Sequence, residues 1–115
     1  MNDDCIFCRI AAGEIPATIV DRGEGVLAIE DLNPQAPTHV LVLPAAHHDT
    51  VADLAATGDG ALLAELFGTA ARIGRERGGS DGFRLVVNSG PIAGQSVGHL
   101  HVHVLAGRPL GWPPG

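Results

Sequence analysis

Apolar residues fall first into short runs broken by turn residues, and later into one long helical stripe. Ala17–Asp21, Val26–Glu30 and His39–Leu43 have strand length. Arg22-Gly23-Glu24-Gly25 reads as a tight hairpin connection, and Asn33–Pro37 as a longer loop. Cys5–Ala12 predicts a short helix, closed by a glycine suited to the left-handed turn, Gly13. Thr50–Ala55 predicts one or two helical turns. The long helix starts at Asp59 or Gly60 and runs to about Arg77, because Leu62, Leu66, Ile73 and Leu63, Phe67, Ala70 recur at three- and four-residue spacing. Gly78-Gly79 ends it. Phe83–Val87 and His99–Leu105 complete the strands, with a glycine-rich loop between them. The pattern predicts an α+β fold: an antiparallel sheet with helices on one side.

A chain of 115 residues fits a single domain over residues 1–115, large enough to bury a core without disulfides. The formal net charge is -6 and the seven basic residues are scattered. A duplex binder needs a cationic face, so extended nucleic acid is not an expected partner. Three Phe, one Trp and no Tyr also disfavour a single-strand reader that stacks bases on rings. No leader pattern and no apolar run of spanning length is present, so the expected location is cytoplasmic, away from the membrane.

His99-Leu100-His101-Val102-His103-Val104-Leu105 carries most of the chemistry. In a strand the three histidines share one face at about 7 Å spacing, while Leu100, Val102 and Val104 fill the other. Imidazole titrates near neutrality, so such a row can combine nucleophile, proton donor and metal ligand. Two plainer readings stand beside this: a histidine-rich solvent face, and a zinc site without catalysis. Upstream, Gly94-Gln95-Ser96-Val97-Gly98 lets backbone N–H groups approach an anion, and Ser96 adds a hydroxyl.

With these residues in view, the chain resembles the HINT branch of the histidine-triad (HIT) family. Asn88, Gly94-Gln95-Ser96-Val97, the His-x-His-x-His run and Trp112-Pro113-Pro114-Gly115 match in order and spacing, as do Glu14-Ile15-Pro16-Ala17 and the stretch Asp31–His39. The resemblance implies the HIT-like fold, with about five antiparallel strands, pairing as a homodimer across which the Trp112 tail reaches. It implies that His101 attacks the α-phosphorus of a purine nucleotide, AMP- or GMP-type, through a nucleotidyl-histidine intermediate. His103 would then contact a phosphate oxygen, and Ser96 would assist the departing amine. Asn88 and the backbone of Gly94, Gln95, Ser96 and Val97 would hold the phosphate, Asp31 the ribose, and His39 would be an additional active-site histidine. Leu32, with Phe7, Ile10, Ile15 and Ile29, would offer a base pocket. Core packing is the competing role for those five residues. Gly98 and Gly111 depart from the family pattern on the substrate side, which bears on leaving-group preference.

Cys5 and Cys8 have the spacing that offers two thiolates to Zn²⁺, and two further ligands are needed for a tetrahedral site. The resemblance to zinc-bearing bacterial relatives supplies His47 and His99, with His48 the alternative to His47. Such a closed site would be structural. A redox pair normally opens a helix after a strand, which this pair does not; reduced, unligated thiols are the remaining reading. The implied activity is hydrolysis of the P–N bond of nucleoside phosphoramidates and acyl adenylates. Dinucleoside polyphosphate hydrolysis, or a nucleotide-binding scaffold or sensor with incidental turnover, are the alternatives.

Overall fold

The computed structural model describes residues 4–115. In chain order the elements are α1 (Ile6–Ala11), β1 (Ile19–Arg22), β2 (Val26–Glu30), β3 (Thr38–Pro44), α2 (Val51–Thr57), α3 (Gly60–Gly78), a 3₁₀ turn (Gly79–Asp81), β4 (Arg84–Val87) and β5 (Val102–Ala106). The strands form one sheet, ordered β1-β2-β3-β5-β4 and antiparallel at every pairing. The predicted α+β class and five-stranded antiparallel sheet are therefore present. Among the described residues no helix is long and apolar enough to cross a membrane.

Side chains alternate along a strand, so β3 divides its residues between two cores. Val40 and Val42 join Val26, Ala28, Val102 and Val104 against Leu66, Ala70 and Ile73 of α3 and Leu54 of α2. Leu41 and Leu43 join Leu27 and Ile29 against Phe7, Cys8 and Ile10 of α1. Burying a Leu or Val of this kind stabilises the fold by about 1.5–3 kcal/mol each. The two cores correct one expectation. The helices do not share a side: α1 covers the face opposite α3. The reason lies in β3, whose seven residues are all buried and which cannot tolerate an open face.

Local signals set the helix limits. The Asp59 carboxylate accepts from Leu62 N at 3.0 Å and caps α3, and Thr50 Oγ1 accepts from Asp53 N at 3.0 Å and caps α2. α3 is tied to the sheet edge by Arg72 to Asp21 and by Arg77 to Glu30. These pairs are exposed enough to contribute about 1 kcal/mol or less each. Gly74 is buried against the Phe83 ring, where an added Cβ would sit only 2.3 Å away. Phe83 thus packs onto α3 and lies outside β4, one residue short of the predicted strand.

The larger departure concerns the histidine run, where β5 begins at Val102 rather than His99. Its pairing with β3 ends at Val42 opposite Val102. Before that point the backbone has other partners: Leu100 N donates to His48 O at 2.7 Å, and His99 O receives a side-chain bond from His101. Alternation nevertheless persists, with Leu100, Val102 and Val104 in the α3 core and the histidines facing away from it.

Candidate active site and metal centre

His101 Nδ1 lies 2.8 Å from His99 O. A carbonyl only accepts, so the proton sits on Nδ1 and the Nε2 lone pair is bare. The rings of Phe7 and His101 stand nearly perpendicular, edge to face, with centroids 5.1 Å apart, which holds the imidazole plane. His101 and His103 open onto a cleft of about 270 Å³. Phe7, Ile10, Ile15 and Ile29 line its apolar wall, and Asp31, Leu32, Ser96 and Val97 its rim. Leu32 is 95% exposed and so belongs to the rim rather than the core.

A second chain of hydrogen bonds fixes the neighbouring rings. Gln35 N donates to His39 Nδ1 at 3.0 Å, so His39 carries its proton on Nε2. That Nε2–H lies 2.9 Å from His103 Nδ1 and 3.4 Å from Asp31 Oδ2. With Nδ1 accepting, His103 keeps its own proton on Nε2. Burial pushes the His103 imidazole down to about 4; His101 and His39 add to the effect and Asp31 opposes it. His103 is therefore neutral near pH 7 and a hydrogen-bond donor, the opposite tautomer to His101. Asp31, His39 and His103 converge closely enough to suggest a metal site. The Gln35 amide argues against one: a metal on His39 Nε2 would need the proton on Nδ1, which already accepts.

The remaining loop residues serve the frame. Gln95 Oε1 accepts from Gly90 N at 2.8 Å, and its Nε2 donates to Asp49 O and Val97 O. Asn88 Nδ2 donates to Gly94 O at 3.3 Å. Gly94 has a φ of 108°, which favours glycine. Asn88, Gly94 and Gln95 do not line the His101 cleft; they shape the loop that presents Ser96 and Val97 to it.

Below the cleft, Cys5, Cys8, His47 and His99 bring four potential ligand atoms together. His99 Nδ1 is 3.3 Å from Cys5 Sγ and 3.5 Å from Cys8 Sγ, and His47 Nδ1 is 3.3 Å from Cys8 Sγ. A tetrahedral zinc with ordinary bonds spaces sulfur and nitrogen ligands about 3.5 Å apart. Each histidine also has its other nitrogen engaged, His99 Nε2 with Pro44 O at 2.8 Å and His47 Nε2 with Asp49 Oδ1 at 2.6 Å. Both Nδ1 lone pairs are thereby turned towards the sulfurs, the arrangement expected of metal-bound histidines. The residues fit zinc. Between His47 and His48 the geometry selects His47; what His48 supplies is its carbonyl, to Leu100 N.

Burial holds the Cys5 thiol above its usual range and pulls the fully buried His99 imidazole down to about 4. Burial also acts to lower His47, but the Asp49 carboxylate and Cys8 outweigh it and the net shift is upward. A bound divalent cation would supply the charge that lets both thiols ionise.

Comparison with known proteins identifies the family. The HIT domain family matches residues 12–110. The chain belongs to the HIT family. A 14 kDa zinc-binding protein of Zea mays is 45% identical over 112 residues, covering 96% of this chain and 87% of that one. An Arabidopsis thaliana protein named adenylylsulfatase HINT1 is 40% identical over 112 residues, covering 96% and 76%. Among solved structures, a HIT family hydrolase from Legionella pneumophila superposes with a TM-score of 0.90 at 44% identity, covering 96% and 99%.

Placed in the HIT family, the site holds three contributors that sequence reasoning missed. Asp49 orients His47, Pro44 orients His99, and the Gln35 amide sets the tautomer of His39. Asp49 left a signal, a carboxylate two residues after a candidate ligand. The two backbone groups left none, since any residue type provides them.

Proposed function

We propose that this HIT protein is a hydrolase of purine nucleoside phosphoramidates and acyl adenylates, acting through a nucleotidyl-histidine intermediate on His101. The observation that carries the proposal is the opposed tautomers of two adjacent cleft histidines: His101 with a bare Nε2 and His103 with a donating Nε2–H. A nucleophile beside a neutral donor suits attack on phosphorus, because the donor can follow a phosphate oxygen as its charge grows.

The base lies against Phe7, Ile10, Ile15, Ile29 and Leu32, and Asp31 accepts from the ribose hydroxyls. His103 Nε2–H and the backbone N–H groups of Ser96 and Val97 hold the phosphate, with Asn88, Gly94 and Gln95 keeping that loop in shape. His101 Nε2 forms a bond to the α-phosphorus as the bond to the amine nitrogen breaks. The His99 carbonyl stabilises the imidazolium so formed. The amine nitrogen takes a proton from the Ser96 hydroxyl, which regains one from solvent, and the proton is returned to solvent when water adds in the second step. Water then attacks the phosphorus, the P–Nε2 bond breaks, and the nucleoside monophosphate departs. His39, backed by Gln35, keeps His103 in its donor form throughout. The name of the Arabidopsis relative, an adenylylsulfatase, supports an adenylyl-type substrate.

Zinc is the expected resident of the Cys5, Cys8, His47 and His99 set, supported by the maize relative's name. Four protein ligands close a tetrahedral shell, so the metal is structural and stands outside the reaction. The working form is a cytoplasmic homodimer.

The test is rapid alkaline quench of wild-type protein with an adenosine phosphoramidate, which preserves an acid-labile P–N bond, followed by mapping of the labelled residue under alkaline conditions. Label on His101, and loss of turnover in His101→Ala and His101→Asn with nucleotide binding retained, is the expected result. Substantial turnover by His101→Ala would refute covalent catalysis. Dinucleoside polyphosphates in the same panel should be cleaved far more slowly; faster cleavage of those would make them the substrate class.

A further inference from the structure

We infer that the Cys5–Cys8–His47–His99 centre is a positioning device for the nucleophile, holding the His99 carbonyl where it selects the Nδ1–H form of His101. This rests on the proposed role of His101 but is measured independently of turnover.

His99 serves two sites at once. Its ring points into the ligand cluster, with Nδ1 at 3.3 Å from Cys5 Sγ, while its carbonyl accepts from His101 Nδ1 at 2.8 Å. The sheet does not hold that carbonyl, because pairing with β3 begins only at Val102. What holds it is a lacing between the irregular segment before β5 and the end of β3 with the turn that follows it. His99 Nε2 reaches Pro44 O, Leu100 N reaches His48 O, and Gln95 Nε2 reaches Asp49 O. Both segments are joined to α1 through the cluster: His99 lies beside Cys5 and Cys8, and His47 beside Cys8. A metal there ties three stretches of chain at the place where a ladder would otherwise have fixed the backbone.

The tautomer matters because neutral imidazole in water favours the proton on Nε2, the atom that must attack. A carbonyl at Nδ1 reverses that preference. If the His99 carbonyl turns so that the N–H···O angle falls below about 120°, the hydrogen bond weakens steeply and the bias is lost. His101 is thus oriented by His99 and, through His99, by residues on a different element that touch no substrate.

The experiment uses the full chain labelled with ¹⁵N-histidine, and long-range ¹H–¹⁵N correlation of the His101 ring, assigned with His101→Asn. In the zinc-loaded protein Nδ1 should be protonated and Nε2 bare. After gentle chelation, in protein still folded by circular dichroism, the Nε2–H form should rise several-fold. Acylation of His101 by diethyl pyrocarbonate should change rate in parallel. A folded, metal-free protein that keeps the zinc-loaded tautomer and acylation rate overturns the inference. Should chelation unfold the chain, exchange of zinc for the larger cadmium ion decides: the His101 ring resonances should move with those of His99, and superimposable His101 spectra overturn the inference. A tautomer that follows the metal while His101→Ala retains turnover would sink the proposed mechanism and leave this coupling standing.

Discussion

Asp49→Ala tests whether the proposed metal centre depends on the carboxylate behind His47 as well as on its four candidate ligands. The carboxylate accepts from His47 Nε2 at 2.6 Å and so aims Nδ1 at Cys8. Loss of an outer partner of this kind typically weakens metal binding 10–100-fold. Asp49 is 69% exposed, so water can replace it in part, and the lower end, about tenfold, is expected. At a fixed free zinc concentration well above both dissociation constants, a tenfold loss removes about 1.4 kcal/mol of linked stability. For a domain of this size that corresponds to a Tm lower by about 5 °C. Chelator competition measures the affinity and a melt in a zinc buffer measures the stability. Asp49→Asn keeps an acceptor and should fall between the two proteins. Unchanged affinity in Asp49→Ala would refute the reasoning, as would a Tm deficit of the same size after both proteins are stripped of metal.

Three further outcomes follow from other parts of the site and fold. Ser96→Ala should slow substrates with basic, poor amine leaving groups by about 10²-fold and those with good leaving groups much less; equal slowing across a leaving-group series would make Ser96 a ground-state contact. His103, lowered in the folded chain to about 4 from an ordinary 6.5, resists protonation that the unfolded chain accepts. Its contribution is therefore intact above about pH 6.5, is lost as pH falls from 6.5 towards 4, and levels off below that. Urea titrations across that window should have a flatter pH slope in His103→Gln, and parallel slopes would contradict the assignment. Gly74→Ala places a Cβ 2.3 Å from the Phe83 ring and should destabilise by about 1–3 kcal/mol, partly offset by about 1 kcal/mol of helix propensity. Its kcat, measured on folded protein well below Tm, should match wild type; a more stable variant would contradict the close packing.

Periodicity was enough to place α3 and the two-sided alternation around His101, because both depend on residue type repeating at fixed intervals. It was not enough to place α1. Phe7, Cys8 and Ile10 mark a buried face but not the sheet face it covers, and that choice depends on β3 being apolar on both sides. The start of β5 was illegible for a related reason. His99-Leu100-His101 has the alternation of a strand, yet its backbone bonds go to His48 and to a side chain. The candidate ligands were legible as spacing and resemblance, with His47 favoured and His48 the alternative. Choosing between them needed the position of Asp49 and the direction of each ring, which are properties of the folded chain.

The double burial of β3 also governs how the molecule can breathe. Val40, Val42 and Leu43 have no exposed surface, and the strand bonds to β2 on one side and β5 on the other. No partial opening can wet this strand without dismantling both cores together. Amide protons at 40–43 should consequently exchange with solvent only through global unfolding, at one shared and slowest rate. Any give required for a nucleotide to enter must come from the cleft's rim, at Leu32 and the loop bearing Ser96 and Val97. The sheet beneath acts as an anvil that does not yield.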